Sequence, residues 1–93
     1  MRYAEAALYA RSLRAIADAR RLKAIHAAVS ALVECFEGGI RPLPGLGLKK
    51  LRPPLWEIRS SLQDRVLFGW SKDVVTFLVA GTHSDIKRFL KRA

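Results

Sequence analysis

The hydrophobic period of this chain changes once, from about 3.6 residues to about two, and the change falls at a run of prolines and glycines. Before that run, Leu22, Ile25, Val29, Leu32, Val33 and Phe36 recur at i, i+3, i+7 spacing, the pattern of a helix with one apolar face. Gly38-Gly39 marks its C-terminus. Upstream, Leu8, Tyr9, Leu13 and Ile16 recur at helical spacing in an Ala-rich segment from Glu5 to about Ala17. Asp18 is placed to cap a second helix. A single bent helix would need 34 unbroken residues, so we read a helical hairpin over about 4–38.

Residues 39–54 form the connection, punctuated by Pro42, Pro44, Gly45, Gly47, Pro53 and Pro54. Beyond it Leu55-Trp56-Glu57-Ile58-Arg59 alternates, and Arg65 to Trp70 does so less strictly. Val74 to Ala80 is a nearly continuous apolar run that suits a central strand. Short turns at Ser60–Asp64 and Ser71-Lys72-Asp73 make these three strands an antiparallel meander over 55–80. Thr82 or Ser84 caps a last helix over 84–92, with Ile86, Phe89 and Leu90 inward and Lys87, Arg88, Lys91 and Arg92 outward. The expected fold class is α+β: one domain over 1–93, with the helical hairpin packed on a small curved antiparallel sheet and a short C-terminal helix.

Composition narrows the function. With 51% hydrophobic residues the chain is too apolar for a disordered tail. Its longest strongly apolar run, Val74–Gly81, is far short of the roughly 20 residues that span a bilayer. Glu5, Arg11, Arg14 and Asp18 leave no room for a secretory h-region, so a cytoplasmic location is expected. One cysteine excludes an internal disulfide and a Cys-based zinc site, and no metal or cofactor is expected. The net charge of +9 is uneven: residues 1–40 carry six basic and four acidic groups, residues 41–93 eleven and four. A sign bias held in one half is the footprint of a polyanion-binding face.

Within that half, Arg59 and Arg65 flank a turn between adjacent strands and can meet on one sheet face. Lys49, Lys50 and Arg52 lead into the same edge, and Lys87 lies on the last helix. His83 follows the third strand directly. One imidazole beside two guanidinium groups is close to the minimum for RNA transesterification: a base, cations for the phosphorane, and an acid for the leaving 5′-oxygen. The bland alternatives stay open. His83 also suits a helix cap, and Arg59 and Arg65 suit solvated strand residues paired with Glu57 and Asp64. His26 reads as a boundary residue, Cys35 as a buried inert thiol, and Trp56 and Trp70 as sheet packing.

The succession Lys49-Lys50-Leu51, Leu55-Trp56-Glu57-Ile58-Arg59, Arg65-Val66-Leu67-Phe68 and Gly81-Thr82-His83-Ser84-Asp85 resembles the RelE/HigB superfamily of bacterial toxins. It is closest to the phage-type HigB-like and YafQ-like branches, and the resemblance covers about residues 13–90. It implies the toxin of a type II toxin–antitoxin pair, a ribosome-dependent mRNA endonuclease that uses no metal. On matching positions, Arg59 is a strand cation, Arg65 stabilises the transition state, and His83 stands at the acid/base position. Lys49, Lys50, Arg52 and Lys87 would hold RNA. The implied partners are a cognate antitoxin, mRNA in the ribosomal A site and, with the antitoxin, operator DNA; no membrane is involved. Three departures stand out. Phe89 replaces a catalytic Tyr of several members, Glu57 replaces a strand Lys, and Met1-Arg2-Tyr3 is a poor match to the usual first strand. A ParE-like gyrase inhibitor, and a non-catalytic or decayed nucleic-acid-binding domain, are the alternatives.

Overall fold

The computed structural model describes residues 1–39 and 46–92. Eight elements follow in order: β1 (Arg2–Glu5), α1 (Ala7–Arg14), α2 (Ala19–Gly38), β2 (Lys49–Lys50), β3 (Leu55–Arg59), β4 (Asp64–Ser71), β5 (Val74–Thr82) and α3 (His83–Arg92). The α+β class and the helical hairpin match the expectation. The hairpin breaks at Asp18, the expected cap. Its carboxylate accepts from the backbone N–H of Arg20 at 2.8 Å and of Arg21 at 3.4 Å. At the other end of α2, Gly39 adopts a left-handed conformation (φ 63°) and donates its N–H to the Cys35 carbonyl. Asp18→Ala should therefore lower stability by about 0.5–2 kcal/mol, measured by urea denaturation, with the folded dichroism spectrum unchanged.

The sheet is larger than the meander. Its order is β1-β5-β4-β3-β2, and β1 runs parallel to β5 while the other pairs are antiparallel. Arg2–Glu5 has too little apolar alternation to read as a strand; it is held by pairing to Val74–Phe77, far along the chain. Lys49–Lys50, expected in the connection, forms an edge strand opposite Trp56 and Glu57. Residues 40–45 of that connection, with Pro42, Pro44 and Gly45, lie outside the described residues. Past β1, the free edge of β5 is closed by α1: the Ser12 hydroxyl accepts from the Ala80 N–H at 3.0 Å and donates to the Tyr9 carbonyl at 2.7 Å.

Apolar side chains fill both faces. On one, Tyr9, Ile25, Leu32, Ile58, Val66, Phe68 and Phe77 pack between α1/α2 and the sheet. On the other, Leu67, Val79 and Ile86 pack beneath α3. The unbroken apolar run of β5 follows from this double burial and from a register shift at Leu67/Phe68. The shift turns Phe77 towards α1 and Val79 towards α3, although the two are separated by an even number of residues. Trp56 and Trp70 stack with ring centroids 5.3 Å apart, and Phe36 closes on Trp70 at 4.7 Å, which accounts for both tryptophans as packing residues. His26 is exposed, and Cys35 is half-buried.

Candidate functional site

Strand register decides which charged side chains share a face, because directly opposed residues project to the same side. Arg59 lies opposite Arg65, and Arg65 lies opposite Gly81. The neighbouring row on that face runs Lys49, Glu57, Leu67, Val79. Three of the expected site residues, Arg59, Arg65 and Lys49, therefore meet on one side of β2, β3 and β4. They stand beside the α3-covered part of the sheet.

Glu57 is not among the expected site residues, yet it sits at the centre of this group. It is only 7% exposed. Its Oε1 lies 3.7 Å from the Nε of Arg65, an ion pair across the two rows. The signal is present in the sequence: in Leu55-Trp56-Glu57-Ile58-Arg59, alternation puts Glu57 and Arg59 on one face and Trp56 and Ile58 on the other. The row of Glu57 also holds the cation Lys49, and the adjacent row holds Arg59 and Arg65, so Glu57 is a carboxylate acceptor set among cations. Like charges directly opposed, as Arg59 and Arg65 are, repel each other, and that repulsion is relieved when an anion binds between them.

The turn holding the two arginines in register is heavily bonded. Ser61 Oγ accepts from the N–H groups of Gln63 and Asp64, and the Ser60 N–H donates to the Asp64 carbonyl at 3.0 Å. Asp64 does not pair with its neighbour Arg65. Its carboxylate is 1% exposed and accepts two hydrogen bonds from Arg21 of α2, at 2.9 Å from Nε and 2.8 Å from Nη2. This bidentate pairing raises the Arg21 pKa above the ordinary guanidinium value.

His83 opens α3 and is exposed, two residues beyond the glycine that faces Arg65. A reciprocal cap fixes its place, with Thr82 in the capping role. Thr82 Oγ1 accepts from the Asp85 N–H at 3.2 Å, and Asp85 Oδ2 accepts from the Thr82 N–H at 2.9 Å. Gly81 is required by this approach, since a Cβ there would lie 2.5 Å from Asp85 Oδ2. The hydrogen bond from the Thr82 backbone, ahead of the Arg88 charge, holds the Asp85 carboxyl below its ordinary value of 3.8. A lowered carboxyl contributes stability above its unfolded value and loses that contribution as pH falls through the lowered one. The melting temperature should therefore fall on acidification below about pH 3.8, and fall less in Asp85→Asn, as followed by thermal denaturation across that range.

The remaining expected residues divide. Lys87 lies one turn past His83 on α3, and Arg52 donates from Nη2 to the Leu90 carbonyl at 2.9 Å, so both border one open cleft with Lys91. Lys50 projects to the opposite face, its ammonium 5.7 Å from the centroid of the Trp56 ring, and does not join Lys49. Phe89 packs against the Leu67–Val79–Ile86 cluster as a half-buried apolar side chain and exchanges no proton. Among the described residues, no three His, Cys, Asp or Glu side chains cluster to hold a metal ion. No helix of the described residues is long and apolar enough to cross a membrane.

No protein-family model matches the sequence, and no curated protein matches it. Solved structures do. YafQ from E. coli superposes with a TM-score of 0.67 at 11% identity, covering 92% of this chain and 98% of that one. RelE in the RelB–RelE antitoxin–toxin complex from Methanococcus jannaschii superposes at 0.68 with 16% identity, covering 92% and 96%. The chain has the RelE-like toxin fold. The YoeB/ParE toxin from Agrobacterium tumefaciens shares it at a TM-score of 0.66 and 13% identity, covering 89% and 99%. In this RelE-like fold the short β1 supplies the first strand that Met1-Arg2-Tyr3 matches poorly in sequence, and the Glu57–Arg65 pair lies on the α3 side of the sheet, largely shielded from solvent.

Proposed function

We propose that this chain is the toxin of a type II toxin–antitoxin pair and cleaves mRNA by attack of a ribose 2′-hydroxyl on the adjacent phosphate. The observation that carries the reading is the Arg59–Arg65 opposition on the α3 side of the sheet, with Arg59 exposed and Glu57 held 3.7 Å from Arg65. A phosphodiester between the two guanidinium groups would be gripped by donors that strengthen as charge builds on the phosphorane. The 2′-oxygen forms its bond to phosphorus as Glu57 takes its proton. The bond from phosphorus to the 5′-oxygen breaks as His83 supplies a proton to that oxygen. The products are a 2′,3′-cyclic phosphate and a 5′-hydroxyl, and all of these steps run on side-chain protons and cations. Lys49, Arg52 and Lys87 would hold the flanking backbone, with the ribosome presenting the message in its A site. In this reading the partner that silences the protein is its cognate antitoxin, the pair binds operator DNA, and all of it takes place in the cytoplasm.

Purified protein incubated with a defined mRNA, with and without ribosomes stalled on it, tests the proposal by primer extension. Cuts at the A-site codon only in the presence of ribosomes are the expected result. Cuts on naked RNA would keep the chemistry and remove the ribosome. Intact RNA in both tubes would sink the nuclease reading and favour the gyrase-inhibiting alternative. That alternative is favoured by Phe89, an apolar side chain packed into the sheet at the position where several members of the resembled superfamily carry a tyrosine.

A further inference from the structure

The row that holds the arginine pair has glycine at both ends. Arg59 lies opposite Arg65, and Arg65 opposite Gly81. On the other side of Arg59 stands Gly47, where the Lys49–Glu57 register, continued back by two residues, brings it. The approach is close. A Cβ at Gly47 would lie 3.2 Å from the Arg59 Cβ and 3.9 Å from its Nε. The Arg59 side chain therefore runs over the bare α-carbon of Gly47.

The backbone at Gly47 has no room to retreat from a larger side chain. Its neighbours are anchored on the helical side of the sheet: Leu46 is 6% exposed within the core, and Leu48 packs against the same cluster. Gly47 also has a φ of 60°, a conformation that glycine adopts without strain. Arg59 has few other supports. Glu57 stands 3.7 Å from Arg65, whereas among the described residues no carboxylate lies within ion-pair distance of Arg59. The like charge of Arg65, directly opposite, pushes the exposed Arg59 guanidinium away. Contact with Gly47 sets where its stem comes to rest.

We infer that Gly47 is a positioning residue for Arg59, the absence of a side chain at 47 fixing the stem so that its guanidinium meets the phosphate together with Arg65. Gly47 does this only if Arg59 grips a phosphate, as proposed above. A side chain there forces a displacement of a few tenths of an ångström, and the anchored leucines pass that displacement to Arg59.

The test compares Gly47→Ala and Gly47→Asn with the parent chain and reads binding apart from cleavage. The probe is a short RNA with a 2′-O-methyl group on every ribose, which has no hydroxyl to attack and stays intact. Its affinity and the arginine Nε–Hε shifts it induces are followed by NMR on the full chain. The parent should show saturable shifts at both Arg59 and Arg65. Both variants should bind about three- to tenfold more weakly, since a misplacement of about 1 Å costs about 10²-fold and this one is smaller. The Arg59 shift should shrink while the Arg65 shift remains.

Asn tolerates positive φ better than Ala, so the two variants should differ in melting temperature. A loss caused by instability follows that difference; a loss transmitted through Arg59 appears in both. In an Arg59→Gln background neither substitution should weaken binding further. Unchanged binding in folded variants, losses that track melting temperature, or a further loss in that background would overturn the inference. So would a parent chain whose Arg59 resonance ignores the probe. Uncut mRNA with a parent that binds the probe in this way would remove the nuclease reading and leave the Gly47–Arg59 coupling standing. Cleavage at one rate by the parent and both variants would keep the nuclease and remove the positioning role.

Discussion

Arg65→Gln is expected to slow RNA cleavage by about 10²–10³-fold, the loss seen when a preorganised donor to a developing oxyanion is removed. Glu57→Gln, which keeps the shape of the side chain and removes its charge, should lower the rate by about 10²–10⁴-fold through loss of the base. Both rates are read in the same primer-extension assay. The two residues also form an ion pair, so each single change alters folding as well as chemistry. The Glu57→Gln/Arg65→Gln double variant separates the two effects. It should recover the melting temperature lost by either single change, because neither member of the pair is left as a buried charge without its partner, while remaining as inactive as the worse single variant. Recovery of cleavage along with stability would show that the pair is structural and that the reacting groups lie elsewhere.

Arg21→Met should destabilise the fold by about 3–5 kcal/mol, because it leaves the Asp64 carboxylate buried with no partner. For a chain of this size that is a drop of more than about 10 °C in melting temperature. The sign for the double variant is opposite. Arg21→Met/Asp64→Leu replaces the ion pair with apolar groups, and such exchanges are often neutral or stabilising by about 1–4 kcal/mol. Calorimetry on the two variants checks both. A double variant as unstable as the single one would mean that the pair holds the β3–β4 turn in a way apolar packing cannot replace. Cleavage by a fully folded double variant would then show whether Arg65 keeps its register without the tie to α2. The Asp64 backbone remains bonded to Ser60 and Ser61 in either case.

Much of this arrangement is legible in the amino-acid sequence. Asp18 and Gly39 announce the ends of α2 by local chemistry, a carboxylate that satisfies free N–H groups and a residue that tolerates positive φ. The two-residue spacing around Trp56 and Ile58 announces β3, and Arg59 and Arg65 are placed opposite each other because they flank one short turn. Thr82 is one of two candidate caps, and its choice over Ser84 depends only on where β5 stops. By contrast, β1 has no sequence signal, since a parallel pairing with Val74–Phe77 is set by a partner some seventy residues away. Lys50 looks equivalent to Lys49 in sequence, yet adjacent strand residues point to opposite faces, and only the register says which of them shares a face with Glu57. Phe89 reads in sequence as a lost tyrosine; its burial against Leu67 and Val79 gives it a packing role of its own.

Periodicity, caps and turn residues are local properties, and by themselves they determined the helical hairpin, the three-stranded meander, the last helix and the half of the chain that carries the excess positive charge. Tertiary structure decided which charges meet. The opposition of Arg59 and Arg65 is foreseeable from one turn. The Glu57–Arg65 pair and the Arg21–Asp64 clamp each join side chains through strand register or helix docking. Those contacts depend on how the whole hydrophobic surface is buried, and no window of sequence contains that information.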